Sequence, residues 1–278
     1  MPSAIDQEIR ELIRKNGCIT FAQFMQTCLY SPRGGFYSSR ANGISAHFRT
    51  SATGHPVFGA LVARQLEQMW RLLGAPAVFH VVEVGSGDGA LARSIVDACQ
   101  WMAPGLAQAL YYVAADYEPW WPPIPSHSTG LDDETEGRGR PSGQEMSVEI
   151  LRVKTEGLRP FRNVVGCILS NELVDNFPVH RFVIQAGRVK EVFVTLAGGS
   201  FTEVLDEPST PRIEERLVSL GVSMPEGSLG EVNLAMEAWT RQLAETLDRG
   251  FVLTIDYGQL AQDLYSPQNS RGTLVCFQ

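Results

Sequence analysis

Apolar residues in the first 75 positions recur every three or four residues, which is the spacing of amphipathic helices. The first helix carries them on one face at Ile5, Ile9, Leu12 and Ile13, and Ser3 followed by Asp6 can cap its start. Thr20 followed by Gln23 forms a capping-box pattern that opens a second helix. A third apolar run covers residues 56–73 with the same spacing. The pattern therefore predicts a helical N-terminal lobe over residues 1–75.

After this lobe the pattern changes to short apolar runs that are rich in β-branched residues and separated by helical spacing. Strands are predicted at residues 78–84, 110–115, 164–169 and 251–255. Strands that alternate with helices are typical of a parallel sheet in α/β proteins. Residues 76–278 are therefore predicted to form a Rossmann-like α/β core.

Three further segments refine this picture of the core. Residues 180–196 alternate on both sides of Ala186-Gly187, which predicts a β-hairpin added to the sheet. Residues 229–247 carry apolar positions that predict another helix. Residues 118–146 are rich in Pro, Gly, Ser and charge, which predicts an exposed insertion.

Composition excludes several classes of protein. The net charge of -8 argues against a protein that binds nucleic acid through its phosphates. The cysteines lack C-x-x-C pairs and the histidines lack metal-ligand spacing, so neither disulfides nor a metal site are predicted. No apolar run reaches the ~20 residues of a membrane span, and the first residues do not form a secretory signal. We expect a cytoplasmic protein without membrane or nucleic-acid partners; its oligomeric state is left open.

The predicted strand 78–84 leads directly into a glycine-rich run, Gly85-Ser86-Gly87-Asp88-Gly89. A turn of this kind between a strand and a helix brings backbone N–H groups against a ligand. Dinucleotides and S-adenosylmethionine (SAM) are the two cofactor classes that use it. The dinucleotide pattern G-x-G-x-x-[GA] is formally met by Gly85, Gly87 and Ala90. The pattern by itself therefore does not decide between a nucleotide-dependent oxidoreductase and a SAM-binding protein.

Charge near the loop favours SAM. Asp88 lies at the predicted helix N-terminus, where it would repel a pyrophosphate. SAM has no phosphate and carries a sulfonium and an ammonium cation, so Glu83 and Asp88 suit it better. Asp116 follows the next strand, where a carboxylate can accept both ribose hydroxyls; the alternative for Asp116 is a solvated acid at a strand end.

Polar residues also follow the strand 164–169, in the run Ser170-Asn171-Glu172-Leu173-Val174-Asp175-Asn176-Phe177-Pro178. Ligands of open parallel sheets bind beyond the carboxyl ends of the strands, so this run is the best catalytic candidate. The alternative is that Asn171 and Asp175 cap a short helix before Pro178. Capping does not easily explain Glu172.

These motifs resemble those of the MidA-type methyltransferases, over nearly the whole chain. The matching motifs are Ile19-Thr20-Phe21 with Phe24-Met25, residues 29–37 (LYSPRGGFY), Phe48-Arg49-Thr50-Ser51 with Val57-Phe58-Gly59, residues 82–91 (VEVGSGDGAL), residues 170–180 and Ile255-Asp256-Tyr257-Gly258. The resemblance implies a Rossmann-like SAM-dependent methyltransferase with a helical lobe. For the mitochondrial member of the family it implies dimethylation of an arginine in a respiratory complex subunit.

By position, the resemblance carries Glu83, Gly85 and Gly87 over to the methionine side of the cofactor, Asp116 to the ribose, and Asn171 with Glu172 to the catalytic face. Ser86 and Ser51 are further predicted cofactor contacts, and Asp175 is a further predicted catalytic residue. Three departures accompany the resemblance. Ala46-His47-Phe48 stands where the family has Gly-Asp-Phe, and Ala114-Ala115-Asp116 stands where the family has a Glu. The second departure leaves the ribose position open by one residue. The chain is also expected to lack the family's C-terminal segment.

The predicted function is transfer of a methyl group from SAM to a protein arginine, with Glu172 and Asp175 holding the guanidinium. The predicted partner is an arginine-bearing protein, and the resemblance suggests a respiratory complex subunit. The alternative is a binding or assembly protein that retains the SAM fold with weak or no catalysis. The altered residues 46–48 and the expected missing segment motivate this alternative.

Overall fold

The computed structural model describes residues 3–38, 55–117 and 148–275. These residues fall into two units. Of them, unit 1 contains 3–38, 172–244 and 255–275, and unit 2 contains 55–117, 148–171 and 245–254. The predicted division at residue 75 stays a prediction; contacts group the first two helices with unit 1 and the third helix with unit 2.

The described residues contain ten strands and eight α-helices. The strands are β1 (Ile19–Thr20), β2 (Phe79–Val84), β3 (Leu110–Asp116), β4 (Ile150–Lys154), β5 (Val164–Asn171), β6 (His180–Gln185), β7 (Arg188–Ala197), β8 (Ser200–Asp206), β9 (Leu229–Val232) and β10 (Leu247–Ile255). The helices are α1 (Ala4–Asn16), α2 (Phe21–Tyr30), α3 (Pro56–Leu72), α4 (Ala90–Met102), α5 (Pro104–Ala109), α6 (Arg212–Leu220), α7 (Ala235–Thr246) and α8 (Ala261–Leu264). Both predicted caps form, since Ser3 accepts the N–H of Asp6 and Thr20 makes the capping box with Gln23.

Unit 2 is built on a sheet with the strand order β10-β5-β2-β3-β4. β2 pairs in parallel with β3 and with β5, and β3 pairs in parallel with β4. Val84 at the end of β2 is in register with Ala115 of β3 and with Ser170 of β5. The residues that follow these three positions therefore meet at one edge of the sheet, as parallel strands require.

Helices α3 and α4 of unit 2 approach each other closely at Gly59. A Cβ atom built on Gly59 would lie 2.2 Å from Oγ and 2.5 Å from Cβ of Ser94. The Ser94 hydroxyl donates to the Pro56 carbonyl at 3.2 Å. Only a residue without a side chain fits at position 59 while the helices keep this separation.

Unit 1 contains an antiparallel sheet with the order β1-β7-β6-β9, and β8 pairs with β7. The predicted hairpin forms as β6 and β7, joined by Ala186 (φ 53°) and Gly187 (φ 72°). Its predicted place was wrong: it belongs to this second sheet instead of extending the parallel one. Glu226 accepts the N–H groups of both turn residues, at 2.7 and 3.0 Å.

The helix predicted for residues 229–247 was too long at its start. Residues Leu229–Val232 form β9, which pairs with β6, and the helix begins at Ala235. Apolar spacing in a short segment fits both a helix and a strand, so pairing with a distant strand determines which of the two forms. Strands β4 and β8 and helix α6 were not predicted.

Two apolar clusters and one buried acid stabilise unit 1. One cluster contains Phe182, Ile213, Leu217, Val232, Leu234 and Tyr265, and the other contains Ile9, Ile13, Ile19 and Val194. The side chain of Glu191 on β7 is fully buried. One oxygen lies 2.7 Å from His180 Nδ1, and the other accepts the N–H of Ser209 at 2.5 Å.

Some predicted features lie outside the described residues. They are Ser51, the altered residues 46–48 and the insertion at 118–146. Within the three described ranges, no helix has the length and apolarity to cross a membrane. The same ranges contain no group of three or more His, Cys, Asp or Glu side chains suited to a metal ion.

Candidate functional site

The loop after β2 has the backbone of a ligand cradle. Gly85, Gly87 and Gly89 adopt φ values of 77°, 54° and 73°, which residues other than glycine rarely adopt. The N–H groups of Gly85 and Ser86 donate to the Ala115 carbonyl at 2.9 and 3.2 Å, which fixes the loop to the end of β3. A Cβ on Gly87 would meet no atom within 4 Å, so the space beside this residue is open.

Asp116, the predicted ribose ligand, lies against this loop. Its Oδ2 accepts the N–H of Gly87 at 2.7 Å. Its carbonyl accepts the N–H of Thr155 at 2.8 Å, beside β4. The structure thus brings Asp116 and the glycine loop together at the same edge of the sheet. Its role toward a ribose stays a prediction.

Asp88 occupies the start of α4, as expected. Its Oδ1 accepts the N–H of Ala90 at 2.9 Å, and its carbonyl accepts from the Arg93 guanidinium at 2.9 Å. In dinucleotide-binding proteins a phosphate takes this position at the positive end of the helix dipole. A carboxylate already fills it here, which disfavours a pyrophosphate.

Glu83 differs from the solvated acid that a simple cofactor contact would suggest. Only 3% of its surface is exposed, and the Tyr112 hydroxyl, itself 1% exposed, donates to Oε2 at 2.8 Å. Burial raises the pKa of Glu83 to about 8, against the opposing hydrogen bond from Tyr112. Asp116 and Asp88 raise this pKa further, and Arg93 lowers it.

Two buried polar atoms at this edge have no hydrogen-bond partner in the described part of the chain. They are Ser86 Oγ and Asn171 Oδ1. A buried polar atom without a partner is costly, so such atoms often contact a ligand. Together with the open space at Gly87, they fit a small polar ligand such as the methionine part of SAM, because a hydroxyl and an amide oxygen can accept from its ammonium.

The predicted acids Glu172 and Asp175 lie in unit 1, within a dense hydrogen-bonded cluster. Asp175 Oδ1 accepts from the Asn176 amide at 2.9 Å, and Oδ2 accepts from the Tyr257 hydroxyl. Both oxygens of Asp175 are therefore oriented by neighbours. Tyr257 is 72% exposed, so this cluster is accessible at the surface of unit 1.

Asp256 fixes the backbone beneath this cluster. Its Oδ2 accepts the N–H groups of Val174 and Asp175, at 2.9 and 3.4 Å, in the 3-10 turn Val174–Asn176. Glu172 has a φ of 48°, an uncommon conformation for a residue with a side chain. Its N–H donates to the Ile255 carbonyl at 2.8 Å, which helps to hold it there. Backbone strain of this kind costs about 1–3 kcal/mol and is often found at functional sites.

Electrostatics in the cluster favour a cationic ligand. Burial raises the pKa of Asp175, while the hydrogen bond from Tyr257 lowers it in part. The neighbouring carboxylates of Asp256 and Glu172 raise it further. The hydrogen bond to Asp175 is also the main cause that raises the pKa of the Tyr257 hydroxyl. A cation bound here would relieve the repulsion among three acids.

Sequence reasoning missed four contributors to this cluster, and a signal existed for each. Tyr30 and Tyr37 belong to the motif LYSPRGGFY; their hydroxyls donate to the carbonyl of Asn176 at 3.0 Å and to its Oδ1 at 2.6 Å. Asp256 and Tyr257 follow β10 in the motif Ile255-Asp256-Tyr257-Gly258. Both motifs were recognised but carried no assigned role.

The predicted site residues thus form two groups. Glu83, Gly85, Ser86, Gly87, Asp116 and Asn171 lie in unit 2, whereas Glu172 and Asp175 lie in unit 1. Within unit 2, the loop residues and Asp116 are in direct contact through the Gly87 hydrogen bond. Ser51 is outside the described residues. The proposed roles of all these residues stay predictions.

Comparison with known proteins identifies relatives over most of the chain. The sequence profile of a family of S-adenosyl-L-methionine-dependent methyltransferases matches residues 61–278. The mitochondrial protein arginine methyltransferase NDUFAF7 homolog of Drosophila melanogaster is 27% identical over 275 residues, which cover 93% of this chain and 61% of that protein. The mitochondrial protein arginine methyltransferase NDUFAF7 of Bos taurus is 34% identical over 85 residues, or 30% of this chain and 19% of that protein. The chain therefore spans about three fifths of the length of its Drosophila relative.

Solved structures show the same fold. A COG1565 superfamily member from Burkholderia thailandensis, bound to S-adenosyl-homocysteine, superposes with a TM-score of 0.75 at 24% identity, covering 97% of this chain and 66% of that chain. The native crystal structure of a COG1565 superfamily protein from the same organism superposes with a TM-score of 0.73 at 23% identity, covering 97% of this chain and 65% of that chain. The mixed α/β fold with a parallel sheet, predicted as Rossmann-like, is therefore the COG1565 methyltransferase fold.

The prediction of a cytoplasmic protein was wrong, because the named relatives are mitochondrial proteins. The prediction rested on the lack of a long apolar run and of a secretory signal. Neither feature distinguishes a cytoplasmic from a mitochondrial protein, because mitochondrial targeting uses amphipathic segments that contain no long apolar run.

Proposed function

Because this chain belongs to a family of S-adenosyl-L-methionine-dependent methyltransferases, we propose that it binds SAM at the glycine loop and methylates an arginine of a protein. One observation carries the cofactor half of the proposal. In unit 2, the end of β2, the glycine loop and the start of α4 lie at a sheet edge where Ser86 Oγ and Asn171 Oδ1 are buried without hydrogen-bond partners among the described residues. The arginine methyltransferase name of the Drosophila relative supports the acceptor.

The proposed cofactor contacts are Glu83, Gly85, Ser86, Gly87, Asp116 and Ser51. The loop backbone and Ser86 would hold the methionine part, and Asp116 would hold the ribose. The hydrogen bond from Gly87 to Asp116 keeps these two regions in a fixed relation. SAM supplies a methyl group that its sulfonium makes electrophilic.

Methyl transfer is an in-line displacement, so the protein mainly has to align the acceptor nitrogen and exclude water. An arginine guanidinium stays protonated with a pKa above ~12, and planar carboxylate pairs bind it well. We assign this binding to Glu172 and Asp175, with Asn171 beside them in the chain. Asn176 and Tyr257 hold the Asp175 carboxylate in one orientation for this purpose.

Calorimetric titration with SAM and, in parallel, with NAD tests the cofactor. We expect saturable binding of SAM alone. Gly85→Val should abolish it, because valine is strained at a φ of 77° and would fill the cradle. Gly74→Val is the matched control, since Gly74 has a φ of 85° in a turn away from the loop sequence. Binding of NAD instead of SAM would contradict the proposal.

Transfer is tested with SAM that carries an isotope-labelled methyl group and protein extracts, followed by mass spectrometry of the labelled proteins. We expect label on arginine. A respiratory complex subunit is the first candidate to examine, as the family resemblance suggests. Glu172→Gln and Asp175→Asn should reduce transfer by at least ~100-fold while SAM binding persists.

Full transfer by Glu172→Gln would exclude its proposed role. Label on another residue type would contradict the arginine assignment and leave the cofactor assignment intact. SAM binding without transfer to any protein would favour a binding or assembly protein without turnover. These three outcomes test the acceptor assignment separately from the cofactor assignment.

A further inference from the structure

Glu83 is a buried carboxyl group whose charge nothing in its described surroundings neutralises directly. Its one hydrogen-bond partner among the described residues is the Tyr112 hydroxyl at 2.8 Å. No Lys, Arg or His of the described chain forms an ion pair with it. An ionised carboxylate in such a position is costly, whereas the neutral acid is not.

The groups packed around Glu83 reinforce this preference. Asp116 from β3 and Asp88 from the loop both disfavour the carboxylate, while Arg93 from α4 favours it. Tyr112 from β3 is itself held neutral, chiefly by burial, and its neighbours Cys167 and Cys99 have thiols whose pKa burial raises to about 12. Burial is the largest cause that raises the pKa of Glu83 to about 8; Asp116 and Asp88 add to the rise, and the Tyr112 hydrogen bond and Arg93 oppose it.

Glu83 is separated from Gly85 of the proposed cofactor loop by one residue. The same loop carries Ser86, whose Oγ has no hydrogen-bond partner among the described residues. SAM carries both an ammonium and a sulfonium, whereas S-adenosylhomocysteine, its product, carries the ammonium alone. A cation close to a buried acid favours the ionised form.

We infer that Glu83 is a proton switch that matches the charge of the bound cofactor. Glu83 is neutral before binding; its O–H bond breaks when SAM binds, the proton passes to solvent, and the carboxylate balances the cofactor cations. After methyl transfer the sulfonium charge is gone. Glu83 therefore becomes protonated again in a fraction of the molecules, and the product is bound less tightly. The inference rests on the proposed SAM site and names how that site selects the charged cofactor.

Proton release is measured by calorimetric titration of the wild-type chain with SAM, and separately with S-adenosylhomocysteine, at pH 7. Phosphate and Tris buffers differ in ionisation enthalpy, so the difference in observed heat gives the number of protons released. An acid with a pKa of about 8 is roughly 90% protonated at pH 7. We therefore expect a release approaching one proton for SAM and a clearly smaller release for S-adenosylhomocysteine.

Glu83→Gln isolates the contribution of this residue, because glutamine copies the neutral acid and can still accept from Tyr112. We expect it to lose the release seen in the wild type and to bind SAM and S-adenosylhomocysteine with more similar affinities. Protonation of the ligand ammonium contributes equally in both proteins and cancels in the difference. Asp248→Asn is the matched control: this exposed acid lies on β10 of the same unit, and its loss should leave the release unchanged.

Infrared difference spectra give an independent readout. SAM binding should remove the carbonyl band of a protonated carboxylic acid in the wild type, and Glu83→Gln should lack this change. If Glu83→Gln fails to fold, Tyr112→Phe serves instead. It removes the hydrogen bond that lowers the pKa of Glu83, so the release should persist to higher pH than in the wild type.

Equal proton release by wild type and Glu83→Gln, or an unchanged carboxylic acid band, would overturn the inference while SAM binding upholds the proposed function. Absence of SAM binding by the wild type would overturn both. A release that is equal for SAM and S-adenosylhomocysteine would remove the role of the sulfonium and, with it, the proposed selection.

Discussion

Ser86 has a hydroxyl group that lowers stability where it lies. Its Oγ is buried without a partner, so folding removes its hydration and returns no hydrogen bond within the described chain. An alanine at this position would avoid that cost. The hydroxyl is therefore better explained by a ligand than by the fold.

Ser86→Ala should raise the free energy of unfolding, or leave it unchanged, and weaken SAM binding about 5- to 10-fold. The first effect follows from removing an unsatisfied group, and the second from losing one hydrogen bond of about 1 kcal/mol. Urea denaturation and calorimetry measure the two quantities.

Ser94→Ala on α4 is the control with the opposite pattern. The Ser94 hydroxyl donates to the Pro56 carbonyl, so its loss should lower stability slightly and leave SAM binding unchanged. A Ser86→Ala protein that is less stable and binds SAM normally would show that the hydroxyl serves the fold.

Tyr257→Phe should raise the pKa of Asp175, because the hydrogen bond from the Tyr257 hydroxyl stabilises the carboxylate. Asp175 binds a cation only when ionised. Methyl transfer by the variant should therefore decline at a higher pH than in the wild type as the pH is lowered. Carbon-13 NMR of the Asp175 carboxyl during a pH titration, with the pH profile of transfer, checks this.

Tyr111→Phe removes the hydroxyl of an exposed tyrosine on β3 and should leave both measurements unchanged. A Tyr257→Phe protein with the wild-type Asp175 titration would show that the hydroxyl does not act through Asp175. A general loss of transfer at every pH, without a shift of the profile, would point to a structural role.

At the scale of elements, the contact between α3 and α4 depends on Gly59. We expect Gly59→Ala to destabilise the protein by about 1–3 kcal/mol, because overpacking outweighs the ~1 kcal/mol helix preference for alanine. Urea denaturation measures the loss. The compensating change Ser94→Gly should cost less in the Gly59→Ala background than in the wild type, since it removes the Oγ and Cβ atoms that the new methyl group meets and leaves the Ser94 carbonyl carbon, at 2.9 Å, as the nearest contact. Additive effects would contradict the proposed contact.

The buried Glu191 connects β6, β7 and the segment at Ser209. Burial by itself would raise its pKa, but hydrogen bonds from His180 and from Ser209 together lower it below the ordinary value. A lowered pKa in the folded state adds stability at a pH above the unfolded value of about 4.3, and this stability is lost as the pH falls through the folded value.

Glu191→Gln should therefore lower the free energy of unfolding at pH 7 and flatten its decline on acidification below about pH 4.5. Urea denaturation between neutral and acidic pH tests this. Glu203→Gln is the control, since Glu203 pairs with Arg181 but is about half exposed, and exposed pairs contribute ~1 kcal/mol or less. Equal pH profiles for wild type and Glu191→Gln would refute the expectation.

Elements with local signals were predictable from sequence. The caps at Ser3 and Thr20, the hairpin turn at Ala186-Gly187 and the glycine loop each depend on residues within a few positions. By contrast, β9 forms only because β6 offers it a partner, and β8 because β7 does. Pairing between segments that are distant in the chain leaves no signal in the few neighbouring residues from which a strand is predicted.

The same distinction applies to the site. Gly85, Gly87 and Asp116 were predicted as site residues because each follows a strand in a known order, and the structure places Gly87 and Asp116 in contact. Asp256 and Tyr257 escaped because their role depends on the contact with Val174 and Asp175, more than 80 positions earlier in the chain. A motif can therefore be recognised in the sequence while the residues that it contacts, and with them its role, stay unknown.

At the scale of the whole molecule, SAM should act as a stabilising ligand for unit 2. A ligand at 100 times its Kd adds about 2.7 kcal/mol to the free energy of unfolding. We expect hydrogen exchange to slow in peptides covering residues 79–90 and 110–116 when SAM is saturating, because the loop and the end of β3 carry the proposed SAM contacts. NAD should give no protection, and Gly85→Val should abolish the effect of SAM. Protection elsewhere without protection of the loop would place the cofactor site in another region.

Asp88 has a consequence for how the protein works among other metabolites. Phosphate-bearing nucleotides are abundant in cells, and any helix that begins with free N–H groups attracts them. In this chain the carboxylate of Asp88 accepts the N–H of Ala90 and is tethered covalently beside the loop. The Asp88 carboxylate therefore occupies the position where the phosphate of such a nucleotide would bind. We expect phosphate-bearing nucleotides to compete only weakly for the glycine loop.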